Sequence, residues 1–408
     1  MKCGLLGRKL GHSYSPQIHS YLGDYPYILY EKEPEEIEAF LKHGDFTGIN
    51  VTIPYKKAVI PYLDELSPIA GKLGAVNTIV RRSDGTLFGH NTDYFGFSTM
   101  VARSGLKVSG KKVLVLGSGG ASNTAVAVLE ELGAQVVIIS RQGENNYQNL
   151  FLHKDAALIV NTTPVGMYPD TEAAPLDITA FPKLEGVLDV IYNPARTVLL
   201  QQAEEKGLVA MNGLLMLVAQ AKESAEYFLG SPLEDILISK IHRTLSNQMQ
   251  NIALIGMPGC GKSTIGALLA RQLGRTFVDA DEKIIALAGN SIPEIFAQDG
   301  EAVFRSLETQ VLSELGKQSG LIIATGGGCV TIPCNYPLLH RNSQIFWLRR
   351  DPTLLPTEGR PLSQANNLNQ MYQLRKPLYA RFADHRIDNN GSQWNTLAEI
   401  LTILEETQ

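Results

Sequence analysis

Residues 256 to 264 read Gly-Met-Pro-Gly-Cys-Gly-Lys-Ser-Thr. Gly256, Gly259 and Gly261 at this spacing let a loop turn its backbone N–H groups onto phosphate oxygens. Lys262 adds an ammonium for the β and γ phosphates, Ser263 a hydroxyl for Mg²⁺, and Thr264 continues the motif. The chemistry is that of a bound nucleoside triphosphate poised for phosphoryl transfer. A second Gly-rich run, Gly117-Ser118-Gly119-Gly120-Ala121-Ser122, lies far upstream. Glycines there let backbone amides approach the pyrophosphate of a dinucleotide at a helix N-terminus. The third position of that fingerprint is Ser122, not Gly or Ala, so a plain Gly-rich turn is the competing reading. The two runs differ in pattern and are not copies of one another.

The elements around each run decide between these readings. Lys112-Val113-Leu114-Val115-Leu116 is an unalternated apolar run, the mark of a strand buried on both faces. A helical stretch from Ala125 to Leu132 follows, then a second such strand, Gln135 to Ile139. Strand, Gly-rich turn, helix and strand form a βαβ unit and favour a dinucleotide. A site for NAD carries Asp or Glu at the end of the second strand to bond the ribose 2′-hydroxyl. This chain has Ser140-Arg141 there, and Arg141 can pair with a 2′-phosphate, so NADP(H) is preferred. A solvated loop charge is the plainer reading of Arg141. The later loop follows the apolar strand Asn251 to Ile255 and opens a helical stretch from Ile265 to Leu273. That is the context a phosphate loop requires.

The 408 residues suggest roughly two to three domains. Hydrophobic residues make up 44% and charged residues 19%, ordinary for globular cores. The net charge of −5 comes without any block of like charge, which disfavours nucleic acid as a partner. Cys3, Cys260, Cys329 and Cys334 form no paired Cys-x-x-Cys pattern. Zinc is therefore not expected, and the sparse usage fits a reducing cytoplasm. No apolar run reaches membrane-helix length, and residues 1–11 do not read as a signal peptide. Early strand candidates are Tyr27 to Tyr30 and Gly48 to Ile53, the latter ended by Pro54. Leu214, Leu217, Val218 and Ala221 recur at helical spacing. Ser246 to Gln250 is a short polar stretch, so a boundary is placed near 248. The expected fold is α/β throughout. A substrate domain (1–95 plus 214–246) precedes a Rossmann-type cofactor domain (96–213), and a P-loop domain with a flanked parallel sheet follows (249–408).

The first block carries an ordered series: Gly11-His12-Ser13-Tyr14-Ser15-Pro16, Asn50-Val51-Thr52-Ile53-Pro54-Tyr55-Lys56, Gly74-Ala75-Val76-Asn77-Thr78 and Gly89-His90-Asn91-Thr92-Asp93. It continues with Asn161 to Met167, Asp189 to Pro194 and Gln220-Ala221. Taken singly, a Lys after a turn is a solvated charge and an Asn-Thr pair is a cap or turn. As an ordered set, residues 1 to about 245 resemble shikimate dehydrogenase. Ser13 and Ser15 can donate hydroxyl hydrogen bonds to a small acid's carboxylate. Thr52, Asn77, Asp93 and Gln220 can read ring hydroxyls, and such a site rejects analogues that lack them. Lys56 is the candidate proton donor to the carbonyl as hydride arrives, with Asp93 orienting it. The resemblance adds Tyr192 to the substrate set. It adds Ser140, Thr162, Met167 and Gly213 to the cofactor set of Gly117, Gly119, Gly120, Ala121 and Arg141. The family commonly has Asn-Arg-Thr after the second cofactor strand, where this chain has Ser140-Arg141-Gln142.

Downstream of the phosphate loop come Asp279-Ala280-Asp281, Gly300 to Glu308, Ala324 to Gly328, Gly359-Arg360-Pro361-Leu362 and Arg375 to Tyr379. Residues 251–408 resemble shikimate kinase. The resemblance implies that Asp279 holds Mg²⁺ through water and that Asp281 bonds the acceptor hydroxyl and assists its deprotonation. Arg305 and Arg375 would clamp the carboxylate with their planar forks. Gly327 and Gly328 would permit close approach to the ring. Arg360 would neutralise the transferring phosphate from a lid. The plainer readings are a strand-end turn for the aspartates and a surface i,i+3 pair for Arg305 and Glu308.

Together these readings imply a bifunctional enzyme. It would reduce 3-dehydroshikimate to shikimate with NADPH and phosphorylate shikimate with Mg-ATP, in the cytoplasm, with no nucleic acid or membrane partner. The alternative is a shikimate/quinate dehydrogenase carrying a non-catalytic, regulatory nucleotide module. Oligomeric state is left open by the sequence.

Overall fold

The computed structural model describes residues 1–11, 13–355 and 368–406. It divides into two compact units. One comprises Met1–Met167, Glu172–Tyr192 and Leu199–Thr244, and the other Tyr168–Thr171, Asn193–Val198 and Leu245–Gln408.

The first unit holds two sheets. Strands β1 (Cys3–Gly7), β2 (Tyr27–Glu31), β3 (Gly48–Val51), β4 (Glu65–Leu66), β5 (Thr78–Arg81) and β6 (Leu87–His90) form a mixed sheet in the order β2-β1-β3-β5-β6-β4. Antiparallel pairing sets Asn50 opposite Thr78, and Thr78 opposite His90. The loops that carry Asn77, Thr92 and Asp93 therefore leave neighbouring strand ends. The helix Asp93–Ser104 follows at once and packs on the helix Leu214–Leu229. The helices meet closely at Gly96, where a Cβ would lie 2.6 Å from the Met216 carbonyl oxygen. That approach brings Gln220 to the strand ends.

The second sheet is wholly parallel: β7 (Lys112–Leu116), β8 (Gln135–Ile139), β9 (Leu158–Asn161), β10 (Gly186–Asp189) and β11 (Val209–Met211), in the order β11-β10-β9-β7-β8. Central β7 and β9 are almost entirely buried, as unalternated apolar runs require. The reading of β8 as equally buried is corrected. It is the sheet's edge, and Gln135 and Ile138 are exposed. The helix after β7 runs from Gly120 to Glu131, starting a turn and more before the apolar spacing does.

The other unit contains β12 (Asn251–Ile255), β13 (Phe277–Asp279), β14 (Ile322–Ala324), β15 (Ser343–Arg349) and β16 (His385–Asp388), all parallel, ordered β13-β14-β12-β15-β16. Every residue of β12 is buried. The helix after it begins at Lys262, not Ile265, because the phosphate loop ends directly on its first turn. The short polar stretch at which the boundary was placed is mostly helical. Ser246 to Met249 form the last turn of a helix, Ile236–Met249, and β12 starts at Asn251. Ser246 and Asn247 are half-buried and Gln248 is exposed on that last turn, so the polar residues do not make a coil. No helix among the described residues is long and apolar enough to cross a membrane.

Candidate active sites

In the first unit Lys56 Nζ lies 2.5 Å from Asp93 Oδ2. Asn77 Nδ2 donates to Asp93 Oδ1 at 2.9 Å and to Thr92 Oγ1 at 3.0 Å, and reaches Gln220 Oε1 at 3.5 Å. The Thr92 amide donates to Asn77 Oδ1 at 2.7 Å. An ammonium, a carboxylate and two amides thus converge, with Asp93 at the first position of its helix, where the N-terminal end of the dipole favours a carboxylate. The arrangement can hold a small polar molecule and present it with a proton donor.

A buried layer behind this group fixes it. Asn50 Nδ2 donates to Ser224 Oγ at 2.7 Å and to Thr78 Oγ1 at 3.1 Å, and Tyr27 OH donates to Asn50 Oδ1 at 2.7 Å. Ser224 Oγ stands 3.0 Å from Thr92 Oγ1. Tyr27, Ser224 and the supporting role of Asn50 were not read from the sequence. The only signal was helical spacing from Gln220 to Ser224. Ser13, Ser15, Thr52 and Tyr192 are not bonded directly to the lysine group. Ser15 opens the helix Ser15–Ser20, its amide donating to Ser13 Oγ at 3.2 Å. The Thr52 amide donates to the Leu6 carbonyl at 2.9 Å. The Tyr192 ring meets Tyr14 edge-on at 6.1 Å, and burial pushes its phenol up.

On the second sheet Gly117 adopts φ +113°, a conformation L side chains avoid, and a Cβ there would lie 2.8 Å from Thr162 Oγ1. Thr162 Oγ1 donates to the Leu116 carbonyl at 2.6 Å. Gly119 and Gly120 face open space, which leaves the start of the helix accessible, with Ala121 in its first turn. Ser122, the apparent departure from the fingerprint, is buried, and its hydroxyl donates to the Gly117 carbonyl at 2.8 Å. It closes the turn. Ser140 and exposed Arg141 follow β8, and the Ser140 amide donates to the Asn145 carbonyl at 3.1 Å. Met167 is exposed. A Cβ at Gly213 would collide with the Val190 carbonyl, so only glycine lets these backbones meet. The open helix start and Arg141 fit a dinucleotide bearing a 2′-phosphate.

In the other unit a cavity of about 490 Å³ opens at the C-terminal ends of the strands, where parallel sheets place ligands. Gly259, Gly261, Lys262, Ser263, Thr264, Asp279, Asp281, Arg305, Gly327, Gly328 and Arg375 all line it. Gly256, at φ +145°, starts the loop beneath it. Arg360 lies outside the described residues. Lys262 Nζ donates to the Gly256 and Met257 carbonyls at 3.0 Å, inside the loop. Ser263 Oγ donates to Asp279 Oδ2 at 2.7 Å, and the Asp281 amide to Asp279 Oδ1 at 3.0 Å. A hydroxyl beside one carboxylate fits Mg²⁺, which takes few protein ligands and completes its shell with water and phosphate oxygens.

Arg305 was weighed as one half of a surface pair with Glu308; the structure buries both. Its Nη1 donates to Glu308 Oε2 at 2.8 Å, and its Nη2 to Glu301 Oε1 at 3.0 Å. Glu308 is completely buried, and burial holds its carboxyl above the ordinary value despite Arg305. A Cβ at Gly328 would strike the Arg305 guanidinium, and one at Gly326 would lie 2.5 Å from Glu308 Oε1. Arg375 Nη1 donates to the Gly327 carbonyl at 3.2 Å, and Tyr379 OH to the same oxygen at 2.5 Å. Phe296, Phe304 and Ile292 supply an apolar wall, and Arg350 also lines the cavity. None of these four was legible as a site residue, because nothing in their spacing separates them from core or surface.

Burial, with a smaller contribution from neighbouring Asp279, raises the Asp281 carboxyl above the ordinary carboxylate value. Lys262 and Arg305 pull the other way without cancelling it. A base works only when ionised, so activity in this unit is expected to fall on acidification at a pH above the ordinary carboxylate pKa. A pH profile of kcat/KM, with stability checked at each pH, reads the limb directly.

The first unit is thus an α/β oxidoreductase in which a dinucleotide fold stands beside a lysine–aspartate site, and the other is a P-loop phosphotransferase. A family model for the shikimate dehydrogenase substrate binding domain matches residues 5–79, and one for shikimate kinase matches residues 258–405. The shikimate dehydrogenase (NADP(+)) of Clostridium perfringens strain SM101 is 37% identical over 265 residues, covering 59% of this chain and 97% of that protein. The corresponding protein of Thermosynechococcus vestitus is 37% identical, covering 56% and 90%. Among solved structures, shikimate dehydrogenase 1 from Peptoclostridium difficile superposes with TM-score 0.56 at 34% identity, over 60% of this chain and 98% of that one. A chorismate mutase/shikimate 5-dehydrogenase fusion from Clostridium acetobutylicum does so with TM-score 0.57 at 36% identity, over 60% and 96%. The chain belongs to the shikimate dehydrogenase family through its N-terminal part and carries a shikimate kinase domain at its C-terminus. It is a bifunctional shikimate-pathway enzyme with oxidoreductase and kinase activities.

Proposed function

We propose that the chain carries out two consecutive steps, reducing 3-dehydroshikimate to shikimate and phosphorylating shikimate to shikimate 3-phosphate, in the cytoplasm. Residues 1–95 with 214–246 bind the substrate of the first step, 96–213 bind NADP(H), and 249–408 form the kinase. NADPH supplies the hydride and Mg-ATP the phosphoryl group. The chain's own part is to bind, orient and move protons.

Ser13 and Ser15 hold the carboxylate, with Tyr192 beside it. Thr52, Asn77, Asp93 and Gln220 read the hydroxyls. Lys56 gives its proton to the carbonyl oxygen, and Asp93, 2.5 Å from Lys56 Nζ, keeps the ammonium aimed. In the kinase, Arg305 and Arg375 hold the same carboxylate and offset its repulsion from the nucleotide phosphates. Asp281 accepts the acceptor hydroxyl's proton, and Ser263 and Asp279 hold the Mg²⁺. One observation carries this reading: a single cavity is lined by the phosphate loop, a buried carboxylate and two arginines.

A second reading, in which quinate is also oxidised, draws on the quinate dehydrogenase from Corynebacterium glutamicum in complex with NAD, which superposes with TM-score 0.54 at 27% identity. The test is to measure reduction of NADP⁺ and NAD⁺ with shikimate and with quinate, together with ADP release with and without shikimate. Shikimate with NADP⁺ is expected to dominate, with ADP release that depends on shikimate. Without that dependence the C-terminal unit is a regulatory nucleotide module.

A further inference from the structure

The cations that line the kinase cavity are held by protein partners, with one exception among the described residues. Lys262 Nζ donates to two loop carbonyls, Arg305 is paired with Glu301 and Glu308, and Arg375 Nη1 donates to the Gly327 carbonyl. Arg350 lines the same cavity, and its Nε is buried without a hydrogen-bond partner. A guanidinium N–H left unpaired away from water is unfavourable, and a ligand that accepts from it removes the penalty.

Its place in the sheet says which ligand. Arg350 follows β15, which pairs with β12, the strand that runs into the phosphate loop. A Cβ on Gly256 would lie 2.5 Å from the Leu348 carbonyl oxygen, so the end of β15 rests against the loop's first residue. Beyond β15, Asn389 Nδ2 donates to the Cys260 carbonyl at 2.6 Å and closes that flank. The acceptor-side groups stand on the other flank of β12: Asp279 ends β13, Asp281 follows it, and Gly326 to Gly328 follow β14. The phosphate loop therefore separates Arg350 from the acid's site.

We propose that the Arg350 guanidinium binds the phosphate chain of the nucleotide, on the phosphates that remain in the diphosphate product. The proposal rests on the kinase reading. The planar fork of Arg350 matches phosphate oxygens, and no carboxylate among the described residues pairs with it. A contact to retained phosphates acts equally before and after transfer. It should govern nucleotide affinity and leave kcat and the acid's KM alone.

The experiment uses the full chain and its Arg350→Ala and Arg350→Lys variants. MgADP binding is measured by calorimetry, KM for ATP and for shikimate by turnover, and competition by inorganic tripolyphosphate against ATP. Circular dichroism and the calorimetric unfolding of the kinase unit report that the variants are folded, and the NADPH-linked activity reports the other unit. Arg350→Ala is expected to weaken ADP binding and raise the KM for ATP by about tenfold to hundredfold, as loss of one charge-assisted contact does. Tripolyphosphate should weaken in parallel, and Arg350→Lys should recover part of the loss. Unchanged ADP affinity in Arg350→Ala overturns the proposal. So does unchanged tripolyphosphate competition, which would place the guanidinium on the nucleoside. Wild-type chain that binds ADP but shows no shikimate-dependent turnover refutes the kinase reading instead, and ADP binding by the variants still reads the Arg350 contact.

Discussion

Lys56→Ala is expected to lower NADPH-linked reduction of 3-dehydroshikimate by about 10²–10⁴-fold, the range for loss of a positioned proton donor. The phosphoryl transfer catalysed by the same polypeptide should be untouched. The size of the effect follows from geometry. Among the described residues, Lys56 is the cation at the convergence of Asp93, Asn77 and Gln220, and Asp93 holds its ammonium at 2.5 Å. Alanine removes the donor and leaves Asp93 without its counter-charge, while Asn77 and Thr92 still bond one another and keep the pocket's shape. The loss should therefore appear mainly in kcat, with a smaller change in KM. Equal loss of both activities in a folded chain would mean that the two sites are not separable.

Asp281→Asn is the reciprocal experiment. Shikimate-dependent ADP release should fall by about 10²–10⁴-fold, as for loss of a general base, with the NADPH-linked reaction unchanged. The same substitution should stabilise the unit that contains it. Burial raises the Asp281 carboxyl. A raised acid favours folding while protonated, and that contribution is lost as the pH rises through its folded pKa. At neutral pH the native chain bears this penalty and a neutral amide does not. A calorimetric scan at neutral pH should show the kinase transition at a higher temperature in the Asn variant than in the native chain. The gain should shrink at acidic pH. Loss of activity with loss of stability would mark Asp281 as a structural residue and remove it from the reaction.

The parts most legible in the sequence are those that chain-local physics imposes. Unalternated apolar runs marked β7 and β12 as strands buried inside their sheets, and glycine spacing marked the two phosphate-binding turns. The same pattern misled at β8, because an apolar run does not record whether a strand has one neighbour or two. Ser122 looked like a defect in a fingerprint, yet its hydroxyl closes the turn on the Gly117 carbonyl, a contact set by backbone geometry. Ser246 to Gln250 looked like a boundary because the polar last turn of a helix and a coil share composition. Arg305 and Glu308 lie three apart, a spacing found equally on surfaces; burial of both depends on β14 and the glycines after it. Arg350 joins its cavity only through the pairing of β15 with β12, a contact across nearly a hundred residues that no local window records.

The central claim is that one polypeptide makes shikimate and then consumes it. The direct measurement supplies the purified chain with 3-dehydroshikimate, NADPH, ATP and Mg²⁺, and follows NADPH oxidation and ADP release together. Oxidation should begin at once. ADP release should follow it, match it in amount and be absent when NADPH is omitted, with shikimate 3-phosphate as the product. NADPH oxidation that leaves ADP release at its acceptor-free level, with shikimate accumulating, would contradict the account.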